Sequence, residues 1–259
     1  MVLLLFVDLD PDLAALRPLG GFFVLRTPGT ALRPPATTTL RPLPTLAKTY
    51  GQQPSDAYGN SLDFRVRKVA DALRAPEPRI AASVAQQGLA ARLWSVTLGC
   101  AALYGTIPDL DPALLHWDPD GSAPDDLWLT EVRPLPATPA TLTDVVLHAH
   151  LEPLTTALHT RYRVATGLLW GNAGSALAGA ARQLDQWARA NGRSETAARA
   201  RALTAELFTH PLLAGTGTFS GTAFRRRSCC LYYRVPGGGV CGDCCFTRAP
   251  RSSPRAPSG

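Results

Sequence analysis

The chain has 259 residues, 46% of them hydrophobic, and a formal net charge of +6. That length supports one large domain or two small ones around a sizeable core. The charge is confined to the C-terminus: from Thr222 onward there are seven arginines and one acid, Asp243, while the first 221 residues balance at nineteen of each sign. A neutral or anionic partner of that region fits this placement, and Arg248 to Arg255 read as a solvated basic tail. With 24 Arg against two Lys, plus abundant Ala, Gly and Pro, codon bias accounts for the arginines better than recognition chemistry does. Nothing calls for a nucleic-acid partner. Met1 to Val7 is apolar, but it lacks a basic flank and runs into Asp8 and Asp10, which argues against a signal peptide. Leu89 to Gly105 contains Arg92 and is too short to span a bilayer. The expectation is a cytoplasmic protein without a transmembrane segment, with room for peripheral membrane contact. In a reducing compartment, clustered cysteines argue for metal rather than disulfides.

Taken in order, residues 1–60 form an N-terminal segment that is partly irregular. Val2–Val7 and Gly20–Leu25 are short apolar patches, 26–46 is rich in Pro, Thr and Arg, and Gly51–Asn60 is rich in turn residues. A helical body is expected over 61–221. Leu62, Val66, Val69, Ala70 and Leu73 share one helical face, ended by Pro76 and Pro78. Residues 79–104 are apolar nearly all round, as a central buried helix is, with Cys100 inside it as an inert thiol. Leu114 to Val132 reads as two short strands around Asp118-Pro-Asp-Gly121, where turn chemistry explains the aspartates better than a metal site with His116 does. A helix capped by Thr141 or Thr143 follows, with Pro153 kinking or dividing it. His148 and His150 diverge on a helix, so neither they nor His159 are read as metal ligands. Leu168 to Ala190 is a slim helix bearing Gly171, Gly174 and Gly179, which allows close packing by another helix. Ser194 caps a last helix closed by Pro211, and Gly215–Gly221 is a linker. The fold class is mainly α with a small β-hairpin (α+β), a helical body plus a C-terminal cysteine-rich segment at 222–248. Residues 249–259 form a disordered basic tail.

Five of the six cysteines fall within 17 residues, as Cys229-Cys230, then Cys241-Gly-Asp-Cys244-Cys245. No dinucleotide or phosphate loop, nucleophile elbow or nucleophile–histidine pair accompanies them. Cys-x-x-Cys places two thiolates on one side of a metal. The arginines at 225–227 favour the thiolate form, and Pro236-Gly-Gly-Gly239 folds the chain back so that the pairs meet. A closed Cys₄ zinc site, a [2Fe–2S] cluster and a redox pair with a vicinal disulfide all remain open. Neighbouring side chains point apart, which suits the separate positions of a two-iron cluster better than one tetrahedral ion.

Arg226-Arg-Ser-Cys-Cys-Leu-Tyr-Tyr-Arg-Val-Pro-Gly-Gly-Gly-Val-Cys-Gly-Asp-Cys244 resembles the C-terminal signature of the FhuF-like ferric siderophore reductases. Leu168-Leu-Trp-Gly-Asn-Ala173, Ser175-Ala-Leu177, Val84–Trp94 and Leu110–Trp117 are similar to that family's helical body, so the likeness runs over about residues 60–245. It implies a [2Fe–2S] cluster on Cys229, Cys230, Cys241 and Cys244 and cytoplasmic one-electron reduction of Fe(III) held by a siderophore, commonly a hydroxamate. Cys245 departs from the motif and leaves the fourth ligand ambiguous between it and Cys244. Arg225, Arg226, Arg234 and Tyr233 are candidate substrate contacts, with Arg227 beside them, and the four arginines are also candidates to raise the cluster's potential. No flavin or nicotinamide site is visible, so the electron donor is external, a ferredoxin or a flavoprotein reductase. Two other readings stay open: a structural zinc module on a helical ligand-binding protein, and a [2Fe–2S] carrier serving another enzyme.

Overall fold

A computed structural model describes residues 13–27, 43–51 and 59–250. The patch Val2–Val7, the stretches 28–42 and 52–58, and residues 251–259 of the tail lie outside the described residues. Two 3₁₀ turns, Arg17–Leu19 and Gly21–Phe23, fold the N-terminal part onto the body. Leu13, Leu16, Leu19, Phe23 and Leu25 are buried in the same core as the helices. Helix α1 (Leu46–Tyr50) was not foreseen. The Thr45 hydroxyl caps it by accepting from the Lys48 amide, and five residues are too few to show a period.

Helix α2 (Ser61–Leu73) follows its apolar stripe, capped by Asn60, whose side chain accepts from the Asp63 amide at 3.1 Å. Helix α3 (Pro78–Tyr104) is the buried central helix, and Gly105 ends it in the left-handed region at φ 74°. Beyond it, β1 (Thr106–Pro108) pairs antiparallel with β4 (Pro134–Pro136). Inside that pair lies the expected hairpin, β2 (Leu115–Trp117) against β3 (Leu127–Leu129), with Leu115 opposite Leu129. The prolines of β1 and β4 mask the outer pair, since proline ordinarily demotes a strand.

Helix α4 (Pro139–Leu142), a π-helical segment (Thr143–Leu151) and α5 (Glu152–Tyr162) run on without a break. Thr138 is the cap, not Thr141 or Thr143; its hydroxyl accepts from the Thr141 amide at 3.1 Å. Pro153 stands in the first turn of α5, where the missing N–H matters least, and the change from π to α geometry falls there. Helix α6 (Thr166–Ala190) packs along α3, and α7 (Ser194–Leu207) lies against both. Two expectations are corrected here. Arg193, not Ser194, occupies the cap of α7, and Pro211 starts a one-turn helix, α8 (Pro211–Ala214), instead of closing α7. The Gly215–Gly221 linker is also a correction. It contains β5 (Gly217–Ser220), paired with β6 (Ala223–Arg226), so a hairpin and not a free linker delivers the chain to the cysteines.

The slim face of α6 seats that segment. A Cβ at Gly171 would clash with the Ser228 hydroxyl, and one at Gly174 would clash with Thr216 while its next neighbour is Phe208. Glycine at these two positions is what lets the C-terminal segment lie directly on the helix backbone. No helix of the described residues is long and apolar enough to cross a membrane.

Candidate metal centre

Local backbone chemistry folds the cysteine segment back on itself. Leu231 takes the left-handed conformation at φ 69°, which aims its amide at Cys229 Sγ, 3.3 Å away. A 3₁₀ turn, Tyr232–Arg234, follows. The Gly238 amide donates to the Val235 carbonyl at 2.8 Å, and Gly237 is left-handed at φ 72°. This reverses the chain and returns Cys241 to Cys230. The Cys244 amide donates to the Cys241 carbonyl at 3.0 Å, closing the Cys-x-x-Cys knuckle, and the Phe246 amide reaches Cys244 Sγ at 3.4 Å.

The five sulfurs form two sets. Cys230 Sγ and Cys241 Sγ are 3.5 Å apart. The Sγ atoms of Cys229, Cys244 and Cys245 all lie within 4.8 Å of one another. Two thiolates on one tetrahedral metal with a metal–sulfur bond of about 2.3 Å stand about 3.8 Å apart. The first pair therefore has the spacing of two ligands on one metal, and the second set offers two or more ligands for another. Two separate sets suit two irons better than one closed zinc site, and the amide donors on Cys229 and Cys244 are of the kind that tunes thiolate-bound clusters. The cysteines fit a [2Fe–2S] cluster.

Without metal, these thiols are electrostatically coupled. Cys230 is lowered to about 7, chiefly because Cys241 hydrogen-bonds its thiolate. The same contact pushes Cys241 well above the thiol range, with burial adding to it. Burial raises both Cys229 and Cys245. Arg226 opposes the rise at Cys229 and Cys241 and adds to the fall at Cys230.

Body and segment are joined by polar clamps. Ser83 Oγ on α3 donates to the Cys230 carbonyl at 2.8 Å. Asn172 Nδ2 on α6 donates to the Ser83 carbonyl at 2.9 Å and contacts its hydroxyl at 3.0 Å. Arg226 Nη2 donates to Asn172 Oδ1. On the other side, Ser175 Oγ donates to Asp243 Oδ2 at 2.6 Å, and Arg182 pairs with Asp243 at 3.4 Å. The Arg226 amide donates to the Asp243 carbonyl at 3.0 Å, tying β6 to the knuckle. Sequence reasoning missed Ser83, Asn172, Ser175 and Asp243. For Ser83, Asn172 and Ser175 the available signal was polar side chains on otherwise apolar helix faces; for Asp243 it was the lone acid of a basic segment.

Arg225 is exposed, and its Nη2 donates to the Cys245 carbonyl at 3.0 Å. Arg226 is buried. Arg234 pairs with Glu77 at 2.6 Å. Tyr233 packs edge-on against Phe246, with ring centroids 5.8 Å apart. Cys100 is fully buried in α3. His116 contacts the Leu43 carbonyl, His148 pairs with Glu152, and His159 contacts the Val164 carbonyl. The Asp118 carboxylate accepts from the Asp120 amide at 2.9 Å, the turn chemistry its sequence suggested.

Residues 226–246 match the model of the FhuF 2Fe-2S C-terminal domain family. No curated protein matches the chain.

Proposed function

Starting from an FhuF-like 2Fe-2S C-terminal domain, we propose that the chain reduces Fe(III) held by a siderophore and releases it as Fe(II) in the cytoplasm. The observation that carries this reading is the pairing of Cys230 with Cys241 at 3.5 Å beside the Cys229, Cys244 and Cys245 set, within the matched residues. Cys229, Cys230, Cys241 and Cys244 would hold the cluster, with Cys245 in reach as an alternative to Cys244. A [2Fe–2S] cluster supplies one electron at a time, the number needed to take Fe(III) to Fe(II). Hard oxygen ligands hold Fe(III) far better than Fe(II), so reduction loosens the chelate without a general acid or base. The electron comes from an external donor, a ferredoxin or a flavoprotein reductase.

The protein's own part is to position the chelate and exclude competing chemistry. A groove of about 560 Å³ opens beside Asp243 and is lined among others by Gln87, Ser95, Ser175, Arg182 and Gln186. Its amides and hydroxyls, with one guanidinium balanced by the Asp243 carboxylate, suit an oxygen-rich ligand of low net charge, as a ferric hydroxamate is.

The test is anaerobic purification followed by absorption and EPR spectra, then reaction of the dithionite-reduced protein with a ferric hydroxamate and a ferrous trap. The expected result is a [2Fe–2S] spectrum and trapped Fe(II). A colourless protein with one zinc sinks the cluster, and a reduced cluster that yields no Fe(II) leaves an electron carrier. Cys229→Ser and Cys241→Ser should lose the cluster, and comparing Cys244→Ser with Cys245→Ser identifies the fourth ligand.

A further inference from the structure

Arg226 is the last residue of β6 and is only 2% exposed. Its side-chain partners are neutral amides. Nη2 donates to Asn172 Oδ1 and Nη1 contacts Gln87 Oε1 at 3.5 Å, while Nε is buried without a partner. Among the described residues no carboxylate lies within ion-pair distance of it. The neighbouring acid, Asp243, is engaged elsewhere through its carboxylate, with Ser175 and Arg182. Burying a guanidinium without a counter-charge is unfavourable. The two amide oxygens solvate the charge without neutralising it, which leaves room for a counter-charge from what binds there.

The cysteines beside it meet that need. A thiolate-ligated [2Fe–2S] cluster is net negative in both oxidation states, and more so by one unit when reduced. We propose that Arg226 is the fixed, buried counter-charge of the metal centre, a positioning residue that raises its reduction potential. This rests on the cluster reading above. Two observations support it. The Arg226 backbone amide donates to the Asp243 carbonyl at 3.0 Å, which seats the residue against the Cys241–Cys244 knuckle. It also belongs to a hydrogen-bonded chain, Arg226 to Asn172 to Ser83 to the Cys230 carbonyl, that fixes its charge relative to the first cysteine pair. Burial magnifies the effect, because charges in a low-dielectric site are poorly screened. The other arginines of the segment differ. Arg225 and Arg227 are exposed, and Arg234 is neutralised by Glu77.

The experiment is a redox titration of the full-length, cluster-loaded protein, followed by EPR, with iron and sulfide counted in each variant. Arg226→Met should lower the equilibrium constant for accepting an electron at least tenfold, about 59 mV for a one-electron couple. Arg226→Lys should recover part of that loss. Gln87→Glu places a carboxylate beside Arg226 at a half-buried position of α3 and should shift the potential the same way without removing the arginine. It keeps the question answerable if Arg226→Met fails to fold. Arg199→Gln removes an equal charge from the exposed side of α7 and should leave the potential unchanged. A cluster whose potential is the same in wild type, Arg226→Met and Gln87→Glu overturns this inference and leaves the cluster reading standing. A wild-type protein that binds zinc and no iron removes both.

Discussion

Buried polar residues in this protein are defined by their partners, and His150 shows how far that goes. It is fully buried in the π-helical segment. Nε2 is 2.6 Å from the Leu110 carbonyl, which can only accept, so Nε2 carries the proton. Nδ1 is then the acceptor for the Tyr50 hydroxyl at 2.7 Å. The ring is neutral, and burial depresses its pKa to about 4. In the unfolded chain histidine titrates near 6.5. Between those values the unfolded state binds the extra proton. Stability is therefore unaffected by His150 above about pH 6.5, declines as pH falls from there to about 4, and is flat below, a loss on the order of 3 kcal/mol. Denaturant unfolding across that range should show the slope in wild type and lose most of it in His150→Gln. An unchanged slope in the variant refutes the assignment. Spacing alone was enough to dismiss His150 as a metal ligand, but its role needs Tyr50 and Leu110, each some forty or more residues away. Arg92 is similar. It was visible as one charge in an apolar helix. Its bonds to Asp126 and to the carbonyls of Gly21 and Val24, which hold the N-terminal turns and the β-hairpin onto α3, were not.

Helix α6 is the element on which fold and site meet. Its slimness was legible as a run of small residues, and so was the need for packing to offset the weak helix propensity of glycine. What fills the groove was not legible, because Thr216 and Ser228 sit in segments whose sequence reads as linker and loop. The helices α2, α3 and α6 followed from apolar period. The pairs β1–β4 and β5–β6 did not, since strands of three or four residues leave no period and proline or glycine argues against them. Gly174 and Gly171 make different tests. Alanine at either gains up to about 1 kcal/mol of helix propensity. At Gly174 the clash is with Thr216, a buried β-branched side chain whose hydroxyl is held by the Leu213 carbonyl at 2.7 Å. Gly174→Ala should therefore destabilise by about 1–2 kcal/mol despite the gain in propensity. At Gly171 the obstacle is one hydroxyl, which can rotate away by giving up its 3.1 Å bond to the Gly167 carbonyl. Gly171→Ala should be near neutral in stability, and Gly171→Ala with Ser228→Ala should be more stable than wild type. Thermal unfolding of the three variants decides it, and a Gly174→Ala protein as stable as wild type contradicts the close approach.

At the scale of the whole molecule, the contiguous apolar core stops short of the metal centre. It gathers side chains from Leu13 to Leu213, and the buried Phe224, Cys230 and Val235 lie outside it. The hairpin packs Phe219 and Phe224 on Phe208, but the cysteines beyond it are held to the body by polar clamps through Ser83, Asn172, Ser175 and Asp243, and by the sulfurs' own preference for metal. Such bonds are each worth about 0.5–1.5 kcal/mol net, less than core packing supplies to α3 and α6. The body should then stay folded when the segment loosens, as expected where a cofactor must be inserted into a finished scaffold. Removal of iron by an anaerobic chelator should leave far-UV circular dichroism within a few per cent of the loaded protein. Amide exchange should rise by an order of magnitude or more across residues 226–246 while α3 and α6 stay protected. Arg226 sharpens the expectation, because a buried guanidinium that has lost its counter-charge pulls its own strand toward water. Exchange should rise at β6 as well as at the cysteines, and more than at Arg234, whose charge Glu77 neutralises in either state. Global loss of protection on iron removal would show instead that body and metal centre fold as one unit.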